Sequence, residues 1–241
     1  IMSHTRRGRA VHGRWVVAGL VCLLAVGWAA ESTAQSNQFN PYYGKNLVKY
    51  DDFEWHIYET DHFEIYYYPE LEEHLATVAS YAESAYAQIS ADLTHDLATL
   101  VPLVVFKTHS EFEQQNIARG LVSAGVGAFA EPFRMRIALP IDEPPDLLYR
   151  LITHELTHQF AFDIIPRSFL RQQPPLWVDE GLADYMAGVW NPLDLMAVRD
   201  AALSDTLPAM SEFVAGRQFA NPRLVYNLGH AAWEFIEERW G

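Results

Sequence analysis

Residues 154–158 read His-Glu-Leu-Thr-His. On an α-helix, positions four apart differ by about 40° and about 6 Å of rise, so His154 and His158 project from one face and can reach a single metal ion. Glu155 sits beside the first imidazole, positioned to take a proton from a water that the metal activates. We therefore expect one Zn2+ held by His154 and His158, with Glu155 as general base. The plainer alternative is a helical histidine pair that is partly buried and merely hydrogen-bonded. A third ligand separates the two readings. The stretch Trp177-Val-Asp-Glu-Gly-Leu-Ala-Asp-Tyr185 lies on a second expected helix, with Glu180 22 residues after His158. A helix returning antiparallel after a short loop brings a carboxylate back to complete a tetrahedral site with water in the fourth position. Glu180 is the expected third ligand. Asp184, one turn later, can accept the other ring N–H of a ligating histidine. Asp179 competes for either role, although on a helix it points about 100° away from Glu180.

The elements that must position these groups follow from periodicity and punctuation. Pro144-Pro145 opens a helix whose Leu148, Leu151, Ile152, Leu156 and Phe160 recur at helical spacing, with Pro166 just past its end. Further helices are expected from about Pro175 to Gly188, from Asn191 to about Leu203, and from the cap Asn221-Pro222 to the C-terminus. Earlier in the chain, Phe63–Tyr68 reads as a strand ended by Pro69. A helix over 70–93 follows, with Leu71, Leu75, Val78, Ala82, Ala85 and Ile89 on one face. Pro102–Phe106 is a second strand, 110–118 a short helix, and Gly127 to Leu139 one extended segment in which Arg134 and Arg136 alternate with Met135 and Ile137. The fold class is α+β: an α/β lobe over 51–141 and a helical lobe over 142–241, with the metal at the floor of the cleft between them.

Half of the 241 residues are hydrophobic and a fifth are charged, which excludes a largely disordered chain, and the formal charge of −14 excludes the concentrated basic face that a nucleic-acid partner requires. Arg6, Arg7, Arg9 and Arg14, then the apolar run Trp15–Ala30, then Ser32 and Ala34 have the order of a secretory signal peptide cleaved after Ala34. The apolar run is short for a spanning helix, so no stable membrane span is expected after cleavage. Residues 35–50 read as a linker. Removing 1–34 takes away four Arg and Glu31, a net +3, leaving −17, and it removes Cys22, the only cysteine. An exported form then has no thiolate, so His, Asp and Glu must supply any metal ligands. His56, His62, His74, His95 and His109 lack ligand spacing and carry no assignment, and Tyr66-Tyr67-Tyr68 reads as core.

Taken together, His154–His158 and Trp177–Tyr185 resemble the gluzincin zinc metallopeptidases, specifically the peptidase MA-like group, over roughly residues 50–241. That resemblance implies a zincin-like fold, with the Glu of the W-x-x-E-G-x-A pattern, here Glu180, as third zinc ligand. It also implies a tyrosine on the following helix, in a Y-x-x-G-like setting, as donor to the developing oxyanion. Tyr226-Asn-Leu-Gly229 matches that setting, and His230, four residues on and sharing its face, is the alternate donor. The segment from Gly125 to Leu139 resembles the edge strand that lines the cleft, to which a peptide could add as a further strand. Its simpler reading is an edge protected by Pro132, Arg134 and Arg136. Members of the group are often followed by a TolB-like β-propeller, so the chain is expected to be truncated at its C-terminus with a propeller as possible partner. The expected function is an exported, periplasmic or extracellular, zinc-dependent peptidase acting on peptide or protein substrates. The alternatives are a zinc hydrolase of other amides or esters, and a non-catalytic domain that binds peptides or envelope partners.

Overall fold

The computed structural model describes residues 51–117, 122, 125–165, 174–214 and 223–241, all within one compact unit. The expected signal segment 1–34, the linker 35–50, Pro166 and the cap Asn221-Pro222 lie outside the described residues. The fold is mixed α+β, with a five-stranded sheet and seven α-helices among the described residues. No described helix is long and apolar enough to cross a membrane.

The strands are β1 (His56–Glu59), β2 (Phe63–Tyr67), β3 (Val101–Phe106), β4 (Phe129–Glu131) and β5 (Arg136–Pro140), in the spatial order β1-β2-β3-β5-β4. β2, β3 and β5 run parallel, and the two edge strands run antiparallel to their neighbours. Strand alternation decides which face is core. Ile65, Leu103 and Ile137 stand in register across the three central strands, and with Phe63, Val101, Val105 and Leu139 they are almost fully buried on one face. Two helices cover that face. In α1 (Leu75–Leu93), preceded by a 3-10 turn over Pro69–His74, all the residues expected on its inner face are buried. The second, α3 (Pro145–Ile164), starts at the expected proline and lays Leu148, Ile152, Leu156 and Phe160 on the sheet. Burying four such side chains contributes roughly 6–12 kcal/mol as an upper bound, which offsets the cost of ordering a helix with a polar opposite face. The remaining main-chain competition is quiet: Thr153 and Thr157 donate their hydroxyls to the carbonyls four residues back, Tyr149 and Thr153, at 2.8 Å each. Gln159 Nε2 donates to the Arg136 carbonyl at 3.0 Å and ties α3 to β5.

Three features of the sheet half differ from the sequence expectations. The extended segment Gly127–Leu139 is a hairpin, β4–β5, with a turn at 132–135 and Met135 at φ 51. Pro132 cannot donate to a ladder. Glu131 closes the turn, accepting from Phe133 N–H at 3.0 Å and pairing with Arg136 Nε at 3.2 Å. Arg134 and Met135 therefore belong to the turn, and their apparent alternation is accidental. The helix expected over 110–118 is one turn, α2 (His109–Phe112), because Thr108 and Glu111 form a reciprocal capping box on a segment with little apolar face to prolong it. β1 was not expected. All four of its residues are exposed, so it has no burial period and owes its existence to pairing with β2.

The C-terminal helices are α4 (Leu176–Met186), α5 (Pro192–Leu203), α6 (Met210–Val214), which was not expected, and α7 (Arg223–Trp240). Asn191 caps α5 by accepting from Leu193 N–H at 2.9 Å, with Pro192 at the first helical position. The crossing of α4 and α7 is set by two glycines. A Cβ on Gly181 would lie 2.5 Å from the Cα and carbonyl carbon of Gly229, and a Cβ on Gly229 would collide with the Trp177 carbonyl oxygen. Trp233 Nε1 donates to the Val178 carbonyl at 3.1 Å across the same contact. We predict that Gly181→Ala and Gly229→Ala each destabilise the protein by about 2–3 kcal/mol in urea titrations. Gly125→Ala, where an added Cβ meets nothing within 4 Å, should leave the midpoint near wild type.

Candidate metal centre

The polar face of α3 meets α4 at one point. His154 Nε2 and His158 Nε2 each lie 3.4 Å from the same atom, Glu180 Oε2, and the two rings stand 5.0 Å apart at 81°. Donors bound at about 2.0–2.1 Å to one tetrahedral ion are separated by about 3.3–3.4 Å, so this spacing fits one ion between them. The donor set fits as well: two imidazole nitrogens and a carboxylate oxygen, with all three donor atoms mutually within 4.8 Å. His154, His158 and Glu180 can hold a metal ion. Among the described residues no other group of three His, Cys, Asp or Glu does so.

The other ring nitrogens are engaged from behind. Asp184 Oδ1 lies 3.0 Å from His154 Nδ1, and Asp179 Oδ1 lies 3.4 Å from His158 Nδ1. Both carboxylates come from α4, one on either side of Glu180; Asp184 hydrogen-bonds its histidine so that Nε2 faces the centre, whereas Asp179 meets His158 Nδ1 as an ion-pair contact. Asp179 and Asp184 thus divide the outer role between them. Phe162 stacks parallel to His158 at 6.0 Å and closes its far face.

Glu155 is buried, 6 % exposed, and the Ala130 main chain of β4 lies near enough to act on its carboxyl. Burial raises its carboxyl above the ordinary value, only partly countered by the two neighbouring imidazoles. The edge strand β4 therefore reaches the site through the general-base candidate itself. Tyr226 is half-buried on α7, close enough to Glu180 for the carboxylate charge to act on its phenol. Burial first and the charge of Glu180 second push its phenol up to about 12, so it stays protonated and able to donate at neutral pH. His230 goes elsewhere. It is 4 % exposed, stacks on Trp190 at 3.9 Å and meets Tyr185 edge-on at 5.9 Å, and burial lowers its pKa. One helical turn beyond Tyr226 carries it along α7 to the α4–α5 junction rather than into the group of three.

Two residues of this network were missed in the sequence. Arg150 Nη2 lies 3.5 Å from Asp184 Oδ1, and Arg223 Nη2 lies 3.0 Å from Asp184 Oδ2. Arg150 carried a readable signal, since it precedes His154 by four residues on one helical face. Arg223 carried none, because its partners come from two other helices. A cavity of about 370 Å³ lies on the opposite face of the sheet, lined by Phe53, Trp55, Tyr66, Val104 and Phe106, and contains none of the residues above. Its walls hold no group of three potential metal donors.

The fold and site together define an α+β protein with a two-histidine, one-glutamate group able to hold a metal. No protein-family model matches the chain, and no curated protein matches it either.

Burial alone would lower the imidazole pKa values. The hydrogen bond that His154 makes to Asp184, with the charge of Glu180, more than offsets this and raises His154 to about 9, and the facing carboxylates of Asp179 and Glu180 raise His158 to about 10. Seen from the other partner, the same contacts depress Glu180 to about 2 although burial opposes them. A raised imidazole contributes stability that is complete below its unfolded value of 6.5 and is lost as pH climbs through 9–10. A depressed carboxylate contributes stability present above 4.5 and lost as pH falls toward 2. After chelation, the melting temperature should be highest between about pH 4.5 and 6.5 and should fall toward pH 9. Metal ligation requires neutral imidazoles, so the rise in melting temperature on adding metal should grow over the same alkaline range. Differential scanning fluorimetry with and without chelator checks both trends; a chelated protein that gains stability from pH 6.5 to 9 would contradict them.

Proposed function

We propose that the chain is an exported zinc-dependent metallopeptidase of zincin-like fold. One observation carries this reading: both imidazoles face a single Glu180 oxygen at 3.4 Å while Glu155 stands buried beside them. A metal-binding site without catalysis needs the three donors but has no use for a buried, raised carboxyl next to the first of them. Two imidazoles and a carboxylate suit zinc, and its identity is part of the proposal.

When bound, zinc held by His154, His158 and Glu180 would supply a Lewis acid that polarises a carbonyl and activates water. Glu155 takes the proton from the attacking water and returns it to the leaving amine. Its raised pKa brings it nearer the operating pH, as a group that both accepts and donates requires. Tyr226, protonated at neutral pH, donates its phenolic hydrogen to the developing oxyanion. The edge strand β4, whose Ala130 lies near Glu155, offers main chain along which an extended peptide can align. Export, the peptide as substrate and a C-terminal propeller as partner rest on the signal-like segment and the motif resemblance.

The test begins with metal content. Wild-type protein should carry about one zinc per chain and His158→Ala little. Glu155→Gln should retain zinc while kcat/KM on a peptide library falls by roughly 10²–10⁴; full hydrolysis by that pure variant would sink the assignment. Tyr226→Phe should lower kcat by about 10²-fold with little change in KM, as loss of one oxyanion donor does.

A further inference from the structure

We propose that Arg223 is the positioning residue of the metal centre: its guanidinium fixes the Asp184 carboxylate behind His154 and, through the Tyr226 ring, the donor beside Glu180. The inference deepens the metallopeptidase reading and rests on its metal site.

Arg223 is the first residue of α7 and reaches three elements. Its Nη2 lies 3.0 Å from Asp184 Oδ2 on α4 and 3.1 Å from Asp194 Oδ2 on α5, and its Nε lies 3.4 Å from Asp194 Oδ1. Its Cζ stands 5.0 Å from the centre of the Tyr226 ring on its own helix. An ion pair from a side chain 44 % exposed is ordinarily of small consequence. Here the partner makes it matter. The Asp184 side chain is only 5 % exposed, so its second oxygen cannot fall back on bulk water when the guanidinium is removed. Arg150 does not substitute: it sits at 3.5 Å on the oxygen that already faces His154, and its Nη1 is committed to the Val189 carbonyl at 2.9 Å.

The geometry assigns Arg223 a direction of action. Asp184 Oδ1 takes the His154 Nδ1–H while Arg223 holds Oδ2, so the carboxylate plane, and with it the imidazole, has one setting. Asp194 anchors the guanidinium from the far side, and the fork geometry of arginine allows both carboxylates to be held together. Lysine can supply the charge but not this fork.

The test uses the full chain in four forms: Arg223→Gln, Arg223→Lys, Asp184→Asn and the double variant Arg223→Gln/Asp184→Asn. Zinc affinity is read by competition with a chromophoric chelator, and ligand geometry by the visible absorption of the cobalt-substituted protein. Arg223→Gln is expected to weaken zinc binding by about 10–100-fold and to alter the cobalt bands, with Arg223→Lys falling between it and wild type. Because Arg223 acts through Asp184, adding Arg223→Gln to Asp184→Asn should weaken zinc binding little further. Wild-type affinity and bands in Arg223→Gln overturn the proposal, as do two losses that multiply independently in the double variant. Should Arg223→Gln lose its helical circular dichroism, Arg223→Lys decides: an affinity and spectrum equal to wild type overturn the positioning role. A wild-type protein that binds zinc but cleaves no peptide overturns the peptidase reading and leaves this comparison intact.

Discussion

Gly181 and Gly229 bring α4 and α7 together main chain to main chain, and the geometry of the site depends on that distance. α3 needs nothing beyond helical pitch to set two imidazoles on one face. Glu180 must then come from α4, and Tyr226 from α7, near enough for the carboxylate charge to act on the phenol. Any side chain at the crossing would move α7 outward by the width of a methyl group or more. Tyr226 and Arg223 ride on the same helix and would move with it.

The contact concentrates acid. Glu155, Asp179, Glu180 and Asp184 all lie against two imidazoles, and burial opposes ionisation at Glu180 and Asp184 even as their partners depress them. Such a group of carboxylates calls for positive charge within it. Arg150 and Arg223 provide it on one side, behind Asp184, and the histidines or a cation provide it at the centre. The acidic groups also differ in what holds them: Asp184 is fixed through both oxygens, whereas Glu155 lies in the fields of two imidazoles and of the β4 main chain.

Much of this was legible in the residues. The apolar stripes of α1 and α3 announced both helices and their inner faces, because one face of each is buried against a sheet. The histidine pair and Glu180 were legible because helical pitch converts spacing into direction. Asp184 followed from the same arithmetic, while Asp179 could not be assigned until its direction toward His158 was fixed by the approach of α4. Where periodicity had no burial behind it, the reading failed: β1 is exposed throughout, and the alternation at 134–137 belongs partly to a turn. Arg223 was illegible for a different reason. Its partners, Asp184 and Asp194, lie 39 and 29 positions earlier in the chain and meet it only through tertiary packing.

The four-residue turn between β4 and β5 acts as a gauge of length. Met135 in the left-handed region and the Glu131–Arg136 pair hold Ala130 opposite Ile137 and near Glu155. Strand side chains alternate, so a slip of one residue would present Glu131 or Phe129 where Ala130 now stands. A second carboxylate there would confront Glu155 with like charge, and a phenyl ring would fill the space alongside it. A turn that touches none of the three potential metal donors thus governs which neighbour Glu155 has, and its length sets the surroundings of that carboxyl.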